Sequence, residues 1–322
     1  MISDVILDWT FVVLGLVILL LAGDVLVKGA VNLALRLGIP ALIVSLTIVA
    51  FGTSAPELLI AISAVDDGAP GLALGNVVGS NTANILLVLG IPAMLATLDT
   101  SNCDTRKSYL YMIAATVLFI ALAFTGEFQF WHGCVLLIAL AFILLDQARD
   151  AHAHRNTCSG PSEDEEDLEG ADPNMPWWKI SVFLILGIAG LPLGADLLVD
   201  GATAIARDFG MSEVAIGLTL VAIGTSLPEL ATTVVAAYRK QADVALGNVI
   251  GSNMFNLLAI IGITSLIGDI EVDKEFLQLD LWVMLGASLL LAPFVFRRWK
   301  ITRVWGVALS VLYAIYLMVV LA

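Results

Sequence analysis

Residues 50–57 read AFGTSAPE and residues 222–229 read AIGTSLPE, each inside an otherwise apolar run. Some twenty residues later each is answered by a second string, GNVVGSNTAN at 75–84 and GNVIGSNMFN at 247–256. A glutamate in a hydrophobic span is costly, so its recurrence calls for a physical reason. Gly52 weakens the helix, and Pro56 cannot donate a backbone hydrogen bond to the preceding turn. The carbonyls of Ala50 to Thr53 are therefore expected to lose normal partners. Glu57 lies three residues after Ser54 and four after Thr53, so the three share a helix face. Ala222, Thr225, Ser226 and Glu229 repeat that arrangement. Ser80 and Asn84 are one turn apart, as are Ser252 and Asn256, adding two hydroxyls and two amide oxygens. Calcium takes six to eight oxygen ligands, and this set offers enough of them.

Composition places these strings in a bilayer. Of 322 residues, 59% are apolar and 14% charged, against about a quarter charged in soluble chains. Many apolar runs are long enough to cross a membrane. Ten spans are expected, at 9–30, 39–64, 70–97, 107–125, 128–147, 177–200, 212–237, 242–268, 276–297 and 301–321. The opening MISDVILD lacks the basic region and cleavage site of a signal peptide, so the first span reads as retained.

The two halves are related. An offset of 172 carries Glu57 onto Glu229, Ser80 onto Ser252, Asn84 onto Asn256 and Asp24 onto Asp196. It also carries Gly29 onto Gly201, Gly38 onto Gly210 and Thr47 onto Thr219. An odd number of spans per half turns the second half upside down, and inverted repeats are a transporter architecture with the substrate at the midplane. The expected fold is thus an all-α membrane protein of ten helices, in two inverted five-helix repeats with broken helices at the midplane. The expected divisions are 1–147, a linker at 148–176, and 177–322.

With the N-terminus outside, thirteen of the fifteen basic residues fall on cytoplasmic segments, leaving only Arg207 and Lys274 outside. Both termini are then external and the linker cytoplasmic, in the cell membrane. The net charge of −14 is concentrated in that linker, where Glu163 to Asp167, Glu169 and Asp172 crowd together. Such a run reads as a solvated segment and has no EF-hand spacing. His152, His154 and Cys158 fit no zinc pattern, and Cys103, Cys134 and Cys158 suggest no disulfide framework. Asp24 has Lys28 four residues on, the spacing of a helix-end ion pair.

For any single Ser or Thr, helix packing explains the residue as well as ligation does. Packing does not explain Glu57 and Glu229, which have no basic residue within a turn. The paired strings resemble the two alpha repeats of the cation/calcium antiporter superfamily, in its prokaryotic sodium/calcium exchanger branch. The resemblance covers both halves. It implies that Glu57 and Glu229 bind calcium and sodium. It further implies ligands at Thr53, Ser54, Ser80, Asn84, Thr225, Ser226 and Ser252 and at the carbonyls of Ala50 and Ala222. It also implies that helices 1 and 6 slide across the other eight. The chain departs from some relatives at Asn256, where they carry Asp. The pocket then has two formal negative charges, which one Ca²⁺ neutralises, and this weighs against potassium co-transport.

The expected function is antiport of Na⁺ against Ca²⁺ by alternating access, extruding Ca²⁺. A Ca²⁺/H⁺ antiporter of the same fold is the alternative. A channel is disfavoured because two inverted halves make no ring around a pore. No nucleophile–base pair or cofactor motif suggests an enzyme, and no cofactor is expected. The expected partners are the bilayer and inorganic cations, with neither nucleic acid nor an obligate protein partner.

Overall fold

The computed structural model describes residues 2–100, 103, 105–157, 172, 174–209, 222–274 and 276–320. Apart from two short bridges it is helical. The first half comprises α1 (Ile2–Leu37), α2 (Ala41–Val44), α3 (Ala50–Thr53), α4 (Ala55–Asp66), α5 (Pro70–Leu86), α6 (Gly90–Leu95), α7 (Arg106–Ala123) and α8 (Phe130–Thr157). The second comprises α9 (Trp177–Asp208), α10 (Ala222–Gly224), α11 (Leu227–Tyr238), α12 (Ala242–Phe255), α13 (Ile261–Ile267), α14 (Leu281–Leu290), α15 (Ala292–Phe296) and α16 (Arg303–Val320). Wide π-turns at Ser45–Val49, Asn256–Ile260 and Phe276–Asp280 join α2 to α3, extend α12 and lead into α14.

Among the described residues, eight helices are long and apolar enough to cross a membrane. A ninth span is the pair Ala41–Thr53 and Ala55–Asp66, bent by 43°. The expected seventh span enters the description only at Ala222, since 210–221 lie outside the described residues. The expected fifth span stops too early. Its helix runs ten residues further, to Thr157, because DQARDAHAHR is rich in helix formers. Cys158 and the acidic run at 163–169 lie outside the described residues, and so does the side chain of His154.

The inversion is visible in the packing. Helices α1 and α9 run antiparallel side by side, and their contacts obey the sequence offset. A Cβ on Gly15 would come 2.6 Å from the Leu198 nitrogen, and one on Gly187 2.5 Å from the Leu26 Cβ. Gly29 meets Leu184 at 3.0 Å, and Gly201 meets Val12 at 3.0 Å. Each contact maps onto its mate when 172 is added or subtracted. Without a hydrophobic force between helices in lipid, small residues that let backbones approach supply the attraction.

Turns repeat as well. Helix α4 ends with Gly68 at φ +72, where Ala69 N–H donates to Ala64 O at 2.8 Å. Helix α11 ends with Lys240 at φ 57, where Gln241 N–H donates to Ala236 O, also at 2.8 Å. Both are left-handed helix ends of the Schellman type. Glu127–Phe128 pairs antiparallel with Ile270–Glu271, and Leu98 bridges Ile301.

The centre and periphery are distinct. In the spans containing α5 and α12, 78% and 83% of the most apolar window is buried, against 22% in α9 and 17% in α16. The two helices carrying the GN strings therefore form the axis of the molecule, wrapped by the others.

The α1–α9 pair sits off-centre. Helix α1 packs on α11, where Gly23 lies against the Ala231 carbonyl. Ala231 is 7% exposed, whereas Leu59, its counterpart on α4, is 69% exposed. Asp24 is ion-paired to Lys28 at 2.8 Å, as the spacing predicts, and also to Arg239 at the end of α11. The counterpart of Arg239 is Asp67, so α4 offers α9 no such tie.

Candidate cation site

The helix break is tighter than the sequence suggests. It is one residue wide in the first half: Ser54, with φ −85 and ψ 4, separates α3 from α4. Ser226 adopts φ −87 and ψ 4 before α11. Ala50 O keeps its helical partner, accepting from Ser54 N–H at 3.0 Å and from the Thr53 hydroxyl at 3.2 Å. The expectation that all four carbonyls lose their partners is thus corrected. Pro56 removes the donor that would have reached Gly52 O, and Pro228 does the same for Gly224 O.

Each break places a glutamate in the first turn of a new helix, Glu57 in α4 and Glu229 in α11. The positive end of the helix dipole favours a carboxylate there. The Ser-x-x-Glu spacing would allow each serine to cap its own helix, but no such cap forms. The Ser54 hydroxyl instead donates across to Glu229 Oε1 of the other half, at 3.1 Å. Ser252 donates to the same oxygen at 3.4 Å and lies 3.4 Å from the Thr53 hydroxyl. The sequence-predicted Thr53, Ser54, Glu229 and Ser252 therefore meet in one network.

The opposite half is not a mirror image. Glu57 is fully buried, yet among the described residues neither carboxylate oxygen has a hydrogen-bond partner. Glu229 Oε2, the Ser226 hydroxyl, Asn84 Oδ1 and both amide atoms of Asn256 are also buried without one. Ser80 is buried, and Thr225 donates to Asn76 Oδ1 at 3.4 Å. Ala222 opens α10, and its side chain lies outside the described residues. Asn256 begins a π-turn, whereas its counterpart Asn84 lies in the regular helix α5.

Among the described residues no ion pair reaches Glu57 or Glu229. No three His, Cys, Asp or Glu side chains gather there or elsewhere among them. Two carboxylates surrounded by neutral hydroxyl and amide oxygens suit a hard cation. A buried carboxylate without donor or base is otherwise strongly unfavourable.

Four asparagines were not singled out from the sequence. Asn81 Nδ2 donates to Asn253 O at 3.2 Å, and Asn253 Nδ2 donates to Asn81 O at 3.3 Å. This reciprocal pair joins α5 to α12 across the pseudo-twofold axis, and Asn84 Nδ2 donates to Asn253 Oδ1 at 3.1 Å. Asn76 and Asn248 donate to the main-chain carbonyls of Glu57 and Glu229, at 3.5 and 3.3 Å. All four lie inside the two repeated strings, 172 residues apart in pairs. That recurrence was the signal available to find them.

Residues 7–147 and 179–322 match the family described as sodium/calcium exchanger protein. The sodium/calcium exchanger MaX1 of Methanosarcina acetivorans is 33% identical, covering 97% of this chain and 98% of that one. The inner membrane protein YrbG of Escherichia coli K12 is 34% identical, covering 89% and 88%. A solved structure of the sodium-calcium exchanger NCX_Mj superposes with a TM-score of 0.82 at 32% identity, covering 97% of this chain and 98% of that one. With its inverted repeats, its paired helix breaks and these relatives, the chain belongs to the sodium/calcium exchanger family, a family of membrane antiporters.

Proposed function

We propose that this protein extrudes Ca²⁺ in exchange for Na⁺ by alternating access and without K⁺. One observation carries the reading: Glu57 and Glu229, each in the first turn after a related helix break, are both fully buried and among the described residues have no ion-pair partner. In this reading Glu57 and Glu229 supply the charge that binds the ions. Thr53, Ser54, Ser80, Asn84, Thr225, Ser226, Ser252, Asn256 and the carbonyls of Ala50 and Ala222 supply neutral oxygens. One Ca²⁺ cancels the two charges, and Na⁺ competes for the same oxygens. A carrier that reorients only when its carboxylates are neutralised exchanges the two, since a bare dianion does not cross hydrocarbon.

The off-centre α1–α9 pair supports this cycle. It rests against α11 and leaves the matching face of α4 uncovered, and a shift of the pair would reverse that relation by pseudo-symmetry. The distribution of Lys and Arg supports external termini, so that the end of α4 faces outward and the end of α11 the cytoplasm. The proposed divisions remain 1–147, a cytoplasmic linker at 148–176, and 177–322.

The test is Ca²⁺ uptake into proteoliposomes under imposed Na⁺, K⁺ or H⁺ gradients. Uptake driven by Na⁺ alone is expected. Glu57→Gln and Glu229→Gln each leave a half-neutralised site. At about 3–5 kcal/mol for a broken buried charge pair, each is expected to lower exchange by about 100-fold or more. Normal exchange by either variant would refute the site. Glu57, with no donor at either oxygen among the described residues, would also suit a proton, which favours the Ca²⁺/H⁺ reading as the second choice. Uptake driven by H⁺ and indifferent to Na⁺ would establish that one instead.

A further inference from the structure

Asn248 is fully buried on α12, and Asn76 is half-buried on α5. Neither belongs to the ligand set proposed above. Each is nevertheless bonded to both halves of the pocket. Asn248 Nδ2 reaches Glu229 O at 3.3 Å and the Thr233 hydroxyl at 3.2 Å, both on α11. Its Oδ1 accepts from the Thr53 hydroxyl, in the opposite half, at 3.2 Å. Asn76 repeats the pattern inversely. Its Nδ2 reaches Glu57 O at 3.5 Å, and its Oδ1 accepts from Thr225 at 3.4 Å.

The chemistry fixes the direction of each bond. A main-chain carbonyl only accepts, so the amide nitrogen faces the glutamate and the amide oxygen faces the threonine. The threonine must then be the donor. A hydroxyl has a single proton, for which Ala50 O at 3.2 Å competes at Thr53, and once that proton is donated its remaining capacity consists of lone pairs. A hydroxyl committed in this way is an acceptor, the polarity a cation requires.

We infer that Asn76 and Asn248 are positioning residues which cross-connect the two half-sites. Each holds the glutamate-bearing main chain of its own half and orients the threonine hydroxyl of the other. The inference rests on the proposed ion site. It adds that each half's threonine is set by the opposite half's asparagine, so the pocket's ion affinity depends on the contact between halves.

The experiment is a pair of double-mutant cycles on the full chain in proteoliposomes, reading half-saturating Ca²⁺ and maximal exchange rate separately. Groups that orient a ligand typically contribute about 10–100-fold to ion affinity. Asn248→Ala and Thr53→Ala are each expected to raise half-saturating Ca²⁺ about tenfold, with the double variant no worse than Thr53→Ala. Asn248→Ala combined with Thr225→Ala should instead multiply the two effects. The cycle of Asn76 with Thr225 should show the same coupling, and because Asn76 is half-buried it serves if Asn248→Ala does not fold. A merely structural asparagine would lower the yield or the maximal rate without this crossed pattern.

An unchanged half-saturation in Asn76→Ala and Asn248→Ala, or multiplicative effects in the crossed pairs, overturns the inference. Glu229→Gln separates the two levels. If it exchanges normally, the ion site itself is misplaced. If it is inactive while the asparagine variants behave as wild type, only the cross-connection fails.

Discussion

Lys240 holds a left-handed backbone, φ 57, at the position where the other half has Gly68 with φ 72. The two turns share their hydrogen bonds, so the lysine tolerates a conformation that glycine adopts without steric cost. Lys240→Gly is expected to stabilise the protein by about 0.5–1 kcal/mol, seen as a raised unfolding temperature in detergent. The reverse holds at the axis. Asn81→Ala removes the bond from Asn81 Nδ2 to Asn253 O, while Asn253 Nδ2 keeps its main-chain acceptor at position 81. The expected loss is about 1 kcal/mol, that of one buried hydrogen bond, measured by the same unfolding assay. Glu57 and Glu229 stand out in the sequence because a carboxylate among apolar neighbours violates composition. Asn76, Asn81, Asn248 and Asn253 do not stand out, because an asparagine in a membrane span is common at helix contacts. Only their partners reveal what they do.

Helices α1 and α9 approach so closely that Cβ atoms at Gly15 and Gly187 would fall 2.6 and 2.5 Å from atoms of the opposite helix. Gly15→Leu must push the pair apart, at about 1–3 kcal/mol for overpacking. Reduced exchange with retained membrane insertion is the expected outcome, and unaltered kinetics would show that the pair separates freely. The contact of α1 with α11 adds an ionic tie between Asp24 and Arg239, whose side chain is 12% exposed. Arg239→Ala leaves Asp24 with Lys28 as its ion-pair partner among the described residues. The expected destabilisation is about 1–3 kcal/mol, between the values for exposed and fully buried pairs. The spacing of Asp24 and Lys28 predicted their bond within one helix. The bond to Arg239, 215 residues away, has no local signature, since it depends on which helices become neighbours.

At the scale of the molecule, the two halves meet along α5 and α12, and everything else is arranged around them. The segment between the halves touches this body at its end. Asp172 N–H donates to Asn32 Oδ1 at 2.8 Å, and Arg36 donates to Met175 O at 3.2 Å, both on α1. Replacement of residues 158–171 by a Gly/Ser segment of equal length preserves these contacts. Na⁺-driven Ca²⁺ uptake is then expected to stay within about twofold of wild type, as for an unpatterned charged run. A loss of transport in a folded replacement variant would give the acidic run a role in the cycle.

Although the helices of the first, fifth and sixth spans end seven to ten residues later than expected, the sequence by itself determined the membrane class, the approximate place of the described spans, the duplication and the paired glutamates. These follow from local quantities: apolar length, proline and glycine positions, and a constant offset of 172. The tertiary structure decided which atoms face each other. Ser54 forgoes the cap of its own helix for Glu229, Ala50 O retains its helical bond, and among the described residues Glu57 lacks the donors that Glu229 has. The physical reason is that inversion brings the two strings together from opposite directions, and sequence distance carries no information about that contact. The same sequence symmetry is also broken in space, because the α1–α9 pair lies against α11, burying Ala231, and leaves the matching Leu59 of α4 exposed.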